Sequence, residues 1–124
     1  MNLQGIDSII KEMSKYKFVS AIFLFGSQTN GRARGDSDFD IAVLTKNSTP
    51  NEEIKLMGFA SDKVDVSIFH RMPLIIQFRI LRDGKLIFLR NEEKLHDVKY
   101  EVFRRYLDYS AFINNFYARK IKNV

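Results

Sequence analysis

Apolar and polar positions follow two rhythms along this chain. Ile6, Ile9, Ile10, Met13 and Tyr16 recur at helical spacing, which predicts a helix over 7–16 with Asp7 or Ser8 as its cap. Residues 18–25 form an apolar run that stops at Gly26, the pattern of a strand buried on both faces. Residues 26–37 are rich in Gly, Asn and Asp and predict a loop with at most one helical turn. A second strand follows over 38–44. Ser48-Thr49-Pro50 opens a short helix to about Ala60, with Glu52 and Glu53 at its positive end. Val64, Val66 and Ile68 alternate with Asp65 and Ser67, a third strand over 63–69. Pro73 opens a helix that closes at Asp83-Gly84, and 85–90 is a fourth short strand. Asn91 then caps a helix over about 92–121, which at ~1.5 Å per residue reaches roughly 45 Å, longer than a small domain requires.

The mixture of strands and helices predicts an α/β (α+β) fold, a small mixed sheet flanked by helices. A length of 124 residues suits one domain, 1–124, with its core over about 18–90 and the C-terminal helix over about 92–121. Composition narrows the chemistry. There are 0 Cys, which excludes disulfides, thiolate nucleophiles and Cys-held zinc. The 2 His, His70 and His96, lack ligand spacing and read as structural. A metal would therefore be held by carboxylates, which favours Mg²⁺ or Mn²⁺. Lys and Arg number 20 against 15 Asp and Glu, net +5, which suits a polyanionic partner as well as a plain solvated surface. No apolar run approaches the ~18 residues of a membrane span. The first residues carry Asp7, Lys11 and Glu12 with no signal-peptide core, so the expectation is a cytoplasmic protein with no membrane partner.

The segment that carries chemistry is Gly26-Ser27, ten residues, then Asp38-Phe39-Asp40. A Gly directly after a buried strand lets backbone approach a ligand, and N–H groups entering a helical turn attract phosphate. The Ser27 hydroxyl adds a donor. Asp38 and Asp40, two apart on a strand, share one face about 7 Å apart at Cα. Phe39, Ile41 and Val43 take the core side. Carboxylates this close repel unless a cation lies between them. Asp65, mid-strand among valines, joins them if its strand pairs beside 38–44; the competitor Asp62 falls in the preceding turn. Arg32, Arg34 and Lys46 offer charge to offset phosphate, with Arg34 as readily paired to Asp36 or Asp38. A P-loop is excluded because Arg32-Ala33 stands where Lys-Ser/Thr is required, and a nucleophile elbow because position 29 is Thr.

Gly-Ser-x10-Asp-x-Asp in this strand context resembles the polymerase-β-type nucleotidyltransferases. Asp65 and the stretch Arg82-Asp83-Gly84-Lys85 through to the terminal helix resemble the antitoxin adenylyltransferases that accompany HEPN-domain toxins. The resemblance implies that Gly26 and Ser27 hold the triphosphate of ATP. It implies that Asp38 and Asp40 bind two Mg²⁺, and that Asp65 completes the metal set and assists loss of the acceptor proton. AMP would pass to a hydroxyl, implied to be a Tyr of a HEPN-type toxin. Two alternatives stand beside this enzyme: a binding module of the same fold that neutralises its partner by occupancy, and nucleotidyl transfer to a small hydroxyl compound. No direct nucleic-acid partner is expected, since the chain lacks room for domains that grip a strand.

Leu95, Val98, Val102, Tyr106, Tyr109, Phe112, Phe116, Tyr117 and Ile121 make the last helix apolar over a broader stripe than one core face needs. Either the stripe simply covers the sheet, or its distal part docks a protein partner or a second copy of the chain.

Overall fold

The computed structural model describes residues 6–26 and 39–122. In chain order they form α1 (Asp7–Ser14), β1 (Val19–Phe25), β2 (Phe39–Thr45), α2 (Pro50–Met57) and β3 (Val64–Ile68). A one-turn 3₁₀ helix (Phe69–Arg71), α3 (Leu74–Asp83), β4 (Lys85–Leu89) and α4 (Glu92–Lys122) follow. The sheet has 4 strands in the order β3-β2-β1-β4. β1 is antiparallel to both β2 and β4, while β2 and β3 run parallel through the α2 crossover. The expected α/β class with a mixed sheet and a long last helix is the fold observed.

The strand pattern explains the layering. β1 and β2 are central, and nearly every residue of both is buried, as continuous apolar strands must be. On one face Ile22, Leu24, Ile41, Val43, Val64 and Val66 pack with Ile6 at the start of α1, Met13 of α1 and Leu56 of α2. On the other, Ala21, Phe23, Ala42 and Leu44 meet Ile80 of α3 and Leu95 and Val102 of α4. The sheet is thus the middle of three layers.

The helix ends follow local chemistry. Asn91 Oδ1 accepts from Lys94 N at 2.9 Å, the expected cap of α4. Thr49 caps α2 reciprocally with Glu52: Thr49 Oγ1 accepts from Glu52 N at 3.2 Å, and Thr49 N donates to Glu52 Oε1 at 2.9 Å. At α1 the expected cap is replaced. Ile6 occupies the cap position with no side-chain bond, and Asp7 is the first helical residue, where its charge still faces the positive helix end. Burial of Ile6 sets that boundary in place of a polar cap. The other end of α1 is held from far along the chain. The Arg90 guanidinium donates to the carbonyls of Ser14 and Tyr16 (2.5 Å), acceptors at the end of the helix, and of Val19 (2.8 Å) at the start of β1.

Glu53 does more than face a helix dipole. It is buried, and its carboxylate accepts from Arg71 Nε at 2.5 Å and Ser48 Oγ at 2.9 Å, with His70 Nε2 at 3.3 Å. This cluster joins α2 to the 3₁₀ turn and gives His70 its structural partner. The Arg71 hydrogen bond holds the Glu53 carboxyl below the usual carboxylate range, against the upward push of burial; Ser48 and the charges of Arg71 and His70 act the same way as the Arg71 bond. Because the folded value lies below the unfolded one, the unfolded chain takes up the proton first as pH falls. The contribution is complete above the ordinary value of 4.5 and is lost as pH drops through the lowered folded value. Glu53→Gln is expected to cost about 1–3 kcal/mol near neutral pH, since it leaves Arg71 without its charged acceptor. In calorimetric melts the gap from the unaltered protein should narrow as pH falls below 4.5; a gap that stays constant would show that the charge contributes nothing.

Candidate active site

Asp40 is the second residue of β2 and Asp65 the second of β3, and the parallel register sets them directly opposite each other. Period two then sends both side chains from the same sheet face, on strands ~4.8 Å apart. That face is the one covered further along by α3 and α4, because Asp40 alternates with Phe39 and Ile41 of the opposite core. Asp40 is half-buried and Asp65 exposed, so the pair sits where the sheet runs out to solvent.

On the other side Asp40 pairs with Phe25, and Gly26 follows at once. Gly26 has φ +85°, and a Cβ there would overlap Oδ2 of Asp40 and lie 3.1 Å from its Cγ. The Asp40 carboxylate therefore rests over the Gly26 backbone, in space that only a glycine leaves open. Gly26, Asp40 and Asp65 thus share one end of the sheet. Asp62 lies in the bend before β3, outside the strand and exposed. Ser27 and Asp38 lie outside the described residues, as do Arg32, Arg34 and Asp36.

Lys46 does not join the site. It follows the far end of β2, about 20 Å along the strand from Asp40, because a strand advances ~3.3 Å per residue. Another cation is nearer. A cavity of about 260 Å³ is lined by Phe25, Gly26, Ile76, Arg79, Asp83 and Gly84, and it brings the exposed Arg79 of α3 toward Gly26. Nothing local marks Arg79 in the sequence, since only the packing of α3 against β1 carries it there. A second cavity, of about 660 Å³, opens beside Asp65 along β3.

Two adjacent carboxylates offer hard oxygen donors, the chemistry of a Mg²⁺ or Mn²⁺ site. Among the described residues no group of three His, Cys, Asp or Glu could hold a metal, so Asp40 and Asp65 stand there as a pair. Among the same residues no helix is long and apolar enough to cross a membrane.

Known proteins resemble this chain in sequence or in fold. A protein of Methanocaldococcus jannaschii provisionally named a protein adenylyltransferase is 31% identical over 70 residues, covering 56% of each chain. The protein adenylyltransferase MntA of Aphanizomenon flos-aquae is 27% identical over 94 residues, covering 64% of this chain and 63% of that one. The chain thus spans less than two thirds of either relative. Among solved structures, a toxin–antitoxin complex with AMP-PNP superposes with a TM-score of 0.69 at 21% identity, covering 93% of this chain and 97% of that one. A complex of tri-AMPylated HEPN toxin with MNT antitoxin from Shewanella oneidensis gives 0.66 at 17% identity, covering 97% and 99%. At these identities the likeness is one of fold. The family described as polymerase beta, nucleotidyltransferase matches residues 7–93, which include Gly26, Asp40 and Asp65. This chain belongs to that nucleotidyltransferase family.

Proposed function

We propose that this protein transfers AMP from ATP to a hydroxyl of a partner protein, a Tyr of a HEPN-type toxin, and so acts as an antitoxin. The observation that carries the reading is the in-register pair Asp40 and Asp65 with the Asp40 carboxylate seated over Gly26. A module that acted by occupancy alone would gain nothing from carboxylates held side by side. The names of the relatives and the toxin complexes of the structural neighbours supply the acceptor class.

Asp38, Asp40 and Asp65 would hold Mg²⁺, which when bound neutralises phosphate charge and steadies the leaving pyrophosphate. Gly26 and Ser27 offer close backbone approach and a hydroxyl to the triphosphate, and Arg79 adds positive charge from α3. Asp65, the more exposed carboxylate, accepts the acceptor's hydroxyl proton and passes it to solvent. The freed oxygen attacks the α-phosphorus. A new P–O bond joins AMP to the acceptor, the bond between α- and β-phosphate breaks, and pyrophosphate carries off that electron pair.

The partner is held by the far half of α4. Leu95 and Val102 are buried, and Phe78 of α3 stacks on Tyr106 at 3.8 Å. Beyond that stack Leu107 and Phe112 are each 66% exposed. After Asp108 the helix carries Arg119, Lys120 and Lys122 and no acid, so two copies repel and an acid-rimmed apolar surface fits. This favours a hetero-oligomer over a homo-oligomer.

Asp65→Asn is expected to slow transfer from labelled ATP by at least ~10²-fold with little loss of ATP binding, while Asp62→Asn leaves the rate unchanged. The reverse result would name Asp62 as the third carboxylate. Asp38→Asn with Asp40→Asn should abolish transfer in a folded protein; an undiminished rate would remove the site altogether.

Gly26→Ala should cost about 1–2 kcal/mol from its left-handed backbone alone and weaken ATP binding, because the new methyl displaces Asp40. Denaturant midpoints and titration calorimetry with MgATP measure the two effects, and normal ATP binding would count against the role of Gly26.

Phe112→Ser with Phe116→Ser should weaken toxin binding and modification while leaving ATP binding and the melting temperature in place. Unchanged modification of the toxin would move the docking surface elsewhere.

A further inference from the structure

A protein hydroxyl must reach Asp65, and the cavity of about 660 Å³ leads to it. Its floor is the stretch of β3 from Asp65 through Ile68. One wall is Ile54 and Met57 of α2, and the other runs from Arg71 to Pro73. β3 is the outermost strand on that side of the sheet, so its outer edge has no strand partner among the described residues. Ile54 is 67% exposed and Met57 45%, large apolar groups that the chain's own core leaves uncovered.

The charges along the groove are asymmetric. Asp65 stands at one end. Arg71 stands at the other, its side chain 60% exposed while its Nε is held by Glu53. Glu53 also lines the cavity, but it is buried, and Arg71, Ser48 and His70 surround its carboxylate. From Asp65 to Ile68 the strand advances ~10 Å, and one helical turn then leads to Arg71.

We propose that this groove receives the acceptor as an extended segment that adds a strand to the edge of β3. The hydroxyl residue lies at Asp65, apolar side chains lie against Ile54 and Met57, and an acidic side chain about three or four residues away meets Arg71. The inference rests on the adenylyl-transfer reading of the site, but its test reads binding alone.

The probe is a fluorescein-labelled synthetic peptide of about ten residues. It carries one Tyr, valines and isoleucines after it, and Glu four positions from the Tyr; a second peptide has the order reversed. Fluorescence anisotropy measures its binding to the full chain. One of the two orders should bind better than a polar scramble. Ile54→Asp with Met57→Asp should weaken that binding at least ~10-fold, as loss of buried anchors does. Replacing the peptide's Glu with Lys should weaken it several-fold. Tyr100→Ser, at a side chain 68% exposed on α4, should change nothing. MgATP binding by calorimetry should be the same in every variant, which also shows that each is folded. Equal binding of the scramble, or full binding by the double variant, overturns the proposal. So does a peptide-free dimer that the double variant dissolves, since a second copy would then be the occupant. Peptide binding that survives while the unaltered protein fails to bind MgATP would support the groove and overturn the transferase reading instead.

Discussion

Two carboxylates held side by side repel, and Asp40 and Asp65 are fixed opposite each other by strand register. Two like unit charges ~4 Å apart repel by about 1 kcal/mol in water and about 4 kcal/mol at the effective dielectric of a protein surface, an upper bound for this pair because the Asp40 carboxylate lies over Gly26, on the side away from β3. Against it stand Ile41, Val43, Val64, Val66 and Ile68 of the same two strands, all buried. Each such side chain contributes about 1.5–3 kcal/mol on burial. The apolar pairing therefore wins by a wide margin and can hold the acids in place. It can do so only at the strand ends. A like pair in mid-sheet would sit under α3 and α4, where desolvation would cost several kcal/mol per charge.

That placement orders the rest of the molecule. β1 must end beside Asp40, and the chain must turn there over the carboxylate, which is the left-handed step at Gly26. One sheet face is closed by α1 and α2, and the other by α3 and the first half of α4. The covers stop short of the acids: the cavity beside Gly26 lies between β1 and α3, and the one beside Asp65 runs along β3 between α2 and the segment Arg71–Pro73. The candidate site is thus an end of the sheet that the helices border without covering.

Most elements were legible because their signals are local. The alternation Val64-Asp65-Val66-Ser67-Ile68 marks both a strand and the face that Asp65 takes. Thr49-Pro50 and Asn91 mark helix starts through bonds made within one turn. What the sequence did not disclose depends on distant partners. Arg90 reads as the end of a short strand, yet it holds carbonyls more than 70 residues earlier. Glu53 reads as a helix-dipole acid, yet it is buried by a 3₁₀ turn that no pattern announced. Lys46 is near Asp40 in sequence and remote along an extended strand, whereas Arg79 is remote in sequence and near in the fold. Carboxylates placed by strand period could be read; cations placed by helix packing could not.

Two of the apolar surfaces exposed among the described residues, the far half of α4 and the β3 groove, would suit the proposed acceptor if it were held at both. The far half of α4 has area for affinity but carries no carboxylate after Asp108. The β3 groove has Asp65 at its end but is short, so a segment lying in it alone would bind weakly. If α4 holds the partner as proposed, the segment would meet the groove as an intramolecular event, at an effective concentration in the millimolar range for a short connection. Weak groove contacts would then suffice to set the register of the hydroxyl. Selectivity would come from the requirement that one protein satisfy both surfaces, and the modified segment could leave the groove while the partner stays bound to α4.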